Sequence, residues 1–127
     1  MIPAAFDYVR AGSADEALAS LAEHGDEAKL LAGGQSLIPL MRFRLVTPGV
    51  IVDVGSLNGD LQGIAVDGDS IRIGALTRHS TLEHSAELKE ACPLLAHVAS
   101  HVGDPAVRHR GTLGGSIAHA DPASDLP

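Results

Sequence analysis

Ala32-Gly33-Gly34-Gln35-Ser36-Leu37 is the most informative stretch of this chain. The apolar run before it, residues 28–32, is expected to form a buried strand that leads into the paired glycines. Glycine allows the backbone a positive φ and leaves no Cβ to keep a ligand away. Ser36 is expected to cap a short helix over residues 37–43, with Pro39 tolerated in its first turn. The free N–H groups of that first turn would suit a bound phosphate.

A second glycine pair lies far along the chain, in Thr112-Leu113-Gly114-Gly115-Ser116. Consecutive N–H groups in such turns can converge on an anion. Two such stretches in a short acidic chain predict two halves of one clamp for a ligand with two linked phosphates. Each stretch taken alone is equally compatible with an ordinary tight turn. Neither has the G-x-G-x-x-G pattern of a Rossmann turn or the G-x-x-x-x-G-K-[ST] pattern of a P-loop.

Residues 1–55 are predicted to form a small subdomain of helices and strands. Ser13 and Glu16 have the spacing of a capping box, so a helix is expected to begin there and to end at Gly25. Apolar residues at helical spacing predict its buried face, namely Ala14, Ala17, Leu18, Leu21 and Ala22. A second buried strand is expected at residues 50–54.

Residues 56–127 are predicted to begin a second subdomain. A hairpin is expected between 64–66 and 70–76, with its turn around Gly68. Thr77 is expected to cap a short helix that runs to about Ser85. A further helix is predicted after Pro93 and is expected to end at Gly103. Its apolar stripe consists of Leu94, Leu95, Val98, Ala99 and Val102.

The last part of the chain carries weaker signals. Residues 104–110 are expected to form a polar loop, and Ile117-Ala118 a short apolar strand. Residues 118–127 look like a loop. Because that last strand has no partner after it, the chain is expected to be cut short there rather than to end naturally.

Composition narrows the classes of function. The 127 residues suffice for one domain with a modest core, and a hydrophobic fraction of 45% predicts a folded protein. A net charge of −7 argues against nucleic acid or an anionic membrane as partner. Cys92 is the only cysteine, which excludes a disulfide framework and an iron–sulfur centre held by this chain alone. Without a signal sequence or an apolar run of ~20 residues, a cytoplasmic location is expected.

Two histidine arrangements have metal-binding alternatives. His97 and His101 are four residues apart on a predicted helix, but Val98 stands where the H-E-x-x-H motif has glutamate. Packed or solvent-facing histidines are therefore favoured over a metal site. His119, Asp121 and Asp125 form a second candidate, for a hard cation. No order of Ser, His and Asp along the chain indicates nucleophilic catalysis, so no catalytic residue is assigned. Neither histidine arrangement is assigned as a metal site.

Two further side-chain types have open interpretations. Arg108 and Arg110 are expected to contact a phosphate or a partner subunit, or to form a solvated basic patch. Cys92 is expected to be a small buried apolar residue.

Four motifs, in this order and approximate spacing, resemble one family. It is the FAD-binding medium subunit of molybdenum hydroxylases, the group of aerobic carbon monoxide dehydrogenase and xanthine dehydrogenase. The resemblance covers the whole chain. Its motifs are residues 32–37, Ile73-Gly74-Ala75-Leu76-Thr77, residues 103–116 and Ala120-Asp121-Pro122-Ala123-Ser124-Asp125-Leu126-Pro127.

The resemblance implies an α+β protein with two small α/β subdomains of the PCMH-type FAD-binding fold, the second incomplete. It assigns FAD to the two glycine stretches, Ala32 to Leu37 and Thr112 to Ser116, mainly through backbone amides. Asp125 matches an acidic FAD contact of the family, and Ser116 stands where many members have Asn. The protein would relay electrons through FAD as an oxidoreductase subunit, although the family's members are more than twice as long.

Partners follow from the same resemblance. A large subunit would hold the molybdopterin and a small one the iron–sulfur clusters, so the substrate cannot be inferred from this chain. Two alternatives remain. The chain could be a truncated, non-catalytic module that keeps the fold without binding flavin alone, or a covalent flavoprotein of the wider fold.

Overall fold

The structure is a computed structural model that describes residues 1–57 and 59–126, with the backbone alone at Asp60. Its contacts divide the chain into two compact units, Met1–Leu57 and Asn58–Pro127. The first unit contains a parallel sheet and the second an antiparallel hairpin, each accompanied by helices. The prediction of an α+β fold is therefore confirmed.

The sheet of the first unit has three parallel strands in the order β1, β3, β2. They are β1 (Asp7–Arg10), β2 (Ala28–Leu31) and β3 (Val50–Asp53). The central strand β3 is buried, as predicted. The strand at 28–32 is confirmed, but its predicted burial is wrong, because β2 is an edge strand and Leu30 is 46% exposed. Strand β1 was not predicted.

Helix α1 (Ala14–His24) begins and ends as predicted. Ser13 Oγ accepts a hydrogen bond from Glu16 N at 3.1 Å, and Gly25 ends the helix with a φ of +56°. The Glu16 carboxylate accepts from Gly12 N at 2.6 Å, one residue before the position expected in a capping box.

The predicted buried face of α1 is only partly right. Ala17 is buried and Leu21 is half-buried, but Leu18 is 63% exposed, and Ala14 and Ala22 are exposed as well. Because α1 packs mainly on two short strands, β2 and β3, a narrow stripe of the helix is covered.

Helix α2 (Leu37–Arg42) confirms the helix expected after the first glycine pair. Ser36 is wrong as its cap, since its side chain makes no capping hydrogen bond. Its φ of −102° and ψ of −48° are helical rather than extended, which turns the hydroxyl away from the geometry of an N-cap.

The second unit begins with the predicted hairpin, formed by β4 (Ile64–Asp67) and β5 (Ser70–Ile73). Gly68 has a φ of +56° in its turn. Three short helices follow: α3 (His79–His84), α4 (Ala86–Ala91) and α5 (Pro93–Ala99). Their buried residues form a core on which the hairpin packs, consisting of Leu82, Leu88, Ala96 and Ala99.

Several details of this region differ from the sequence prediction. The helix expected after Thr77 is confirmed, but Arg78 occupies its N-cap position. The Thr77 hydroxyl is instead bonded to the backbone of Gly63, donating to its oxygen at 3.2 Å and accepting from its nitrogen at 3.0 Å. Helix α5 stops at Ala99, before the expected end at Gly103, and Leu94 is 72% exposed. Helix α4 was not predicted.

The expected loop at 104–110 and the expected strand at 117–118 are wrong. These residues belong to helices α6 (Pro105–Arg110) and α7 (Leu113–His119). Asp104 caps α6, because its carboxylate accepts from Val107 N at 2.9 Å, and Thr112 caps α7. Residues 120–126 contain neither helix nor strand, as predicted.

Candidate cofactor-binding site

The first glycine stretch leaves a row of backbone donors unpaired. It connects β2 to α2, and within the described residues no acceptor is found for the amides of residues 33–37. Gly34 has a φ of +77°, and a Cβ there would lie 2.6 Å from Ile38 Cδ1. The Gly34 carbonyl accepts from Ile38 N at 3.0 Å, which holds the turn against α2. An anion could therefore bind this stretch without displacing any internal hydrogen bond.

The rest of this stretch surrounds those donors. Gly33 is buried, whereas Ala32, Ser36 and Leu37 are half-buried and Gln35 is exposed. Gln35 Nε2 lies 3.5 Å from the Gly33 carbonyl oxygen, at the limit of hydrogen bonding. The side chain of Gln35 therefore folds back over its own turn.

The second glycine stretch differs, because its amides are already paired inside the second unit. Each N–H of residues 113–116 has an acceptor: Leu113 to Thr77 O at 3.0 Å, Gly114 to Ala75 O at 2.8 Å, Gly115 to Thr112 Oγ1 at 3.1 Å and Ser116 to Thr112 O at 3.1 Å. The predicted role of these amides as phosphate donors would require each of them to exchange or share its present partner.

Close packing accounts for the second glycine pair. A Cβ on Gly114 would lie 2.6 Å from the Ala75 carbonyl oxygen and 2.7 Å from Ala75 Cβ. A Cβ on Gly115 would lie 2.8 Å from Thr112 Oγ1, the atom that caps α7. Both distances are shorter than real Cβ contacts, so a side chain would have to shift the backbone of Ala75 at Gly114 and the capping hydroxyl of Thr112 at Gly115; the packing of the second unit therefore favours glycine at both positions.

A histidine that the sequence analysis did not single out lies against this stretch. His79 is 3% exposed, and its Nε2 lies 3.2 Å from Ser116 Oγ. Its backbone N donates to Gly111 O at 3.1 Å. Its Nδ1 is buried without a partner among the described residues, and burial lowers the pKa of the imidazole. No spacing rule could have found the pair, because 37 residues separate the two side chains.

The remaining predicted ligand, Asp125, is exposed in the segment after α7. Pro127, the last residue of the fourth motif, lies outside the described residues. His119 Nε2 and Asp121 Oδ2, members of the alternative cation site, lie 3.9 Å apart. Among the residues whose side chains the structure describes (1–57, 59 and 61–126), no group of three or more His, Cys, Asp or Glu could hold a metal ion.

Arg108 has a structural role inside the second unit. Its Nε donates to Glu83 Oε2 at 3.0 Å, and its Nη1 donates to Val102 O at 3.2 Å. Because its side chain is only 13% exposed, it does not belong to a solvated patch. Arg110 is exposed, and its carbonyl accepts from Arg78 Nη1.

The His97–His101 pair and the groove beside α3 and α5 include none of the residues predicted to bind the cofactor. The rings of His97 and His101 are 4.6 Å apart, and both histidines are exposed. A groove of about 400 Å³ lies beside α3 and α5, where Glu83, His84 and His97 contribute to its lining. In the part of the chain that the structure describes, no helix is both long and apolar enough to cross a membrane.

Comparison with known proteins identifies the family to which a chain with these two glycine stretches belongs. The profile of a family described as the FAD binding domain in molybdopterin dehydrogenase matches residues 4–127. The chain belongs to this family. FAD is the cofactor of the family, and the resemblance inferred from the four motifs is confirmed.

Relatives of this FAD-binding domain include subunits of dehydrogenases. The chain is 47% identical over 127 residues to the 6-hydroxypseudooxynicotine dehydrogenase complex subunit alpha of Paenarthrobacter nicotinovorans, covering all of this chain and 43% of that one. It is 40% identical over 127 residues to the caffeine dehydrogenase subunit beta of Pseudomonas sp. strain CBB1, with the same coverage.

A solved structure agrees with the FAD-binding-domain assignment. A chain of the carbon monoxide dehydrogenase of Hydrogenophaga pseudoflava, in a form that lacks the Mo-pyranopterin moiety, matches with a TM-score of 0.95 and 44% identity. The match covers 100% of this chain and 44% of that one. The chain thus spans less than half the length of the relatives it matches.

Proposed function

We propose that this chain is the FAD-binding part of the medium, electron-transferring subunit of a molybdenum-containing hydroxylase or dehydrogenase. One observation carries the proposal: a chain of the FAD-binding-domain family presents, at residues 33–37, a row of backbone donors that find no acceptor in the part of the chain that the structure describes. Unpaired amides next to a helix start are a favourable environment for a phosphate group.

The first unit supplies the main contact with the FAD diphosphate. Each charge-assisted hydrogen bond contributes roughly 1.5–3 kcal/mol, so about three to five such bonds from residues 33–37 supply the roughly 8 kcal/mol that micromolar affinity needs. Backbone donors also suit an acidic chain with a net charge of −7, because they provide local positive potential without basic side chains. Gly34 is essential to this arrangement, since its positive φ orients the amides that follow it.

The second unit contributes differently in this proposal. Since its amides at 113–116 are already paired, contacts from residues 112–116 are made by side-chain hydroxyls, chiefly that of Ser116, because Thr112 is 4% exposed and its Oγ1 already accepts from Gly115 N. Asp125 remains a proposed FAD contact; its exposure leaves the carboxylate accessible.

Bound FAD would supply the redox chemistry, while this chain binds and orients it. The electrons would come from iron–sulfur clusters on a small partner subunit, which receives them from a large molybdopterin subunit. The names of the relatives support such an assembly, because one is a subunit of a dehydrogenase complex. With Cys92 as the single cysteine of these 127 residues, any thiolate-bound cluster would take most of its ligands from outside them.

The test is a titration of the purified chain with FAD, followed by quenching of flavin fluorescence. Wild type is expected to bind with micromolar affinity. Gly34→Ala is expected to weaken binding at least tenfold, because alanine is strained at a φ of +77° and must displace Ile38.

The matched control is Gly49→Ala in the same unit, where a Cβ would lie 3.5 Å from Glu27 Oε2 in ordinary contact. This variant is expected to bind FAD like wild type. Folded wild type that takes up no FAD would contradict the proposal and support the alternative of a module that does not bind flavin alone.

A further inference from the structure

We propose that His79 is a positioning residue: its neutral imidazole donates from Nε2 to Ser116 Oγ and so directs the Ser116 hydroxyl proton toward a phosphate oxygen of FAD. The inference rests on the proposed function and names one donor that the second unit offers. It begins from the distance of 3.2 Å between Nε2 and Oγ.

The buried environment selects the tautomer. Nδ1 of His79 has no partner among the described residues and no exposed surface. A proton on Nδ1 would therefore be an orphaned buried N–H, which is rarer in proteins than an under-used acceptor. A charged imidazolium would carry the same orphaned N–H together with a buried charge. The tautomer with its proton on Nε2 avoids both costs.

The tautomer determines what Ser116 can do. When Nε2 donates to Oγ, the serine oxygen is an acceptor in that bond, and its own proton is left for another acceptor. The backbone N–H of Ser116 is already committed to Thr112 O at 3.1 Å. The hydroxyl is thus the free donor that this residue offers to an anion.

The backbone around the pair keeps the two side chains in place. His79 N donates to Gly111 O at 3.1 Å, and Arg78 and Thr112 form an isolated antiparallel bridge. A Cβ on Gly111 would lie 2.8 Å from His79 Cδ2, so the ring packs directly on that backbone. The start of α3 is therefore bound to the segment that leads into α7.

The first experiment measures the tautomer without FAD. Long-range proton–nitrogen correlation spectra of the ¹⁵N-labelled chain at pH 7.5 distinguish protonated from bare ring nitrogens. We expect His79 to have a protonated Nε2 and a bare Nδ1. A protonated Nδ1 would overturn the inference whether or not the chain binds FAD.

The second experiment measures FAD affinity in a double-mutant cycle. Ser116→Ala is expected to weaken binding about 10- to 100-fold, the effect of a lost hydrogen bond to a charged group. His79→Phe, which keeps the ring and removes its nitrogens, is expected to weaken binding about 2- to 10-fold. His79→Gln, which restores a donor at the position of Nε2, is expected to recover most of the loss.

The cycle also separates this inference from the proposed function. In the Ser116→Ala background, His79→Phe should have no further effect, because His79 acts only through the hydroxyl. His84→Phe, on the same helix but exposed, is the control and should bind FAD like wild type. If wild type binds no FAD, the proposed function fails; if it binds FAD and Ser116→Ala or His79→Phe binds equally well, only this inference fails.

Discussion

Gly114→Ala tests whether packing explains the second glycine pair. Gly114 is the second residue of α7, and even in a helix interior this change stabilises by no more than roughly 0.5–1 kcal/mol, because alanine has less backbone entropy to lose. Here the new Cβ would lie 2.6 Å from Ala75 O, 2.7 Å from Ala75 Cβ and 2.9 Å from Ala75 Cα. Backbone cannot rotate away as a long side chain can, so α7 must move.

The magnitude follows from what this movement costs. Overpacking costs about 1–3 kcal/mol. Moving α7 also weakens the bonds from Leu113 to Thr77 and from Gly114 to Ala75, each worth about 1 kcal/mol. After subtracting the gain in helix propensity, the net loss in the free energy of unfolding is about 2 kcal/mol. With an m-value of about 2 kcal/mol/M, the urea midpoint should fall by about 1 M.

The assay is urea denaturation of the ligand-free chain, followed by circular dichroism at 222 nm. Gly49→Ala is the matched control, and its midpoint should stay within about 0.3 M of wild type, as is usual for a tolerated surface change. A Gly114→Ala chain as stable as wild type would refute the argument, because the glycine would then be required only by a ligand that the assay does not contain.

Two more predictions concern the second unit. Glu83→Gln should lower the free energy of unfolding by about 2 kcal/mol, because it leaves the half-buried guanidinium of Arg108 without its carboxylate. Urea denaturation measures this loss, with the exposed Glu90→Gln as control. An effect of Glu83→Gln no larger than that of the control would contradict the prediction. The free energy of unfolding should also decrease as the pH is lowered below about 6.5. Because the pKa of His79 is lowered in the folded chain, the imidazole binds a proton in the unfolded chain at a pH where the folded chain still keeps it neutral. His79→Gln should flatten this fall in melting temperature between pH 7.5 and 5, and an unchanged slope would show that other groups cause it.

Local signals predicted much of the fold. The cap at Ser13, the end of α1 at Gly25 and the hairpin around Gly68 all depend on residues within a few positions of each other. Such contacts form with little dependence on the rest of the chain, which is why spacing alone identifies them. The central strand β3 was predicted from its continuous apolar run.

The errors of local prediction have identifiable causes. Asp104-Pro105 is a helix start, a capping residue followed by proline at the first helical position, but the polar residues after it favour the prediction of a loop. Ile117-Ala118 was assigned to a strand because two apolar residues have no period. The exposure of Leu18 and Leu30 depends on how many strands lie beside them, which spacing does not contain.

For the site, the amino-acid sequence by itself was enough to identify the family. It also showed glycine pairs at the positions where the backbone must turn or pack closely against a neighbouring segment. It could not distinguish the two glycine stretches, since both look like rows of free donors. Only the tertiary structure decided that the amides of residues 33–37 have no acceptor among the described residues, while those of 113–116 are all paired. For Leu113 and Gly114 the physical reason is distance along the chain, because their acceptors, Thr77 O and Ala75 O, are brought there by folding; Gly115 and Ser116 are instead paired with Thr112 inside their own stretch.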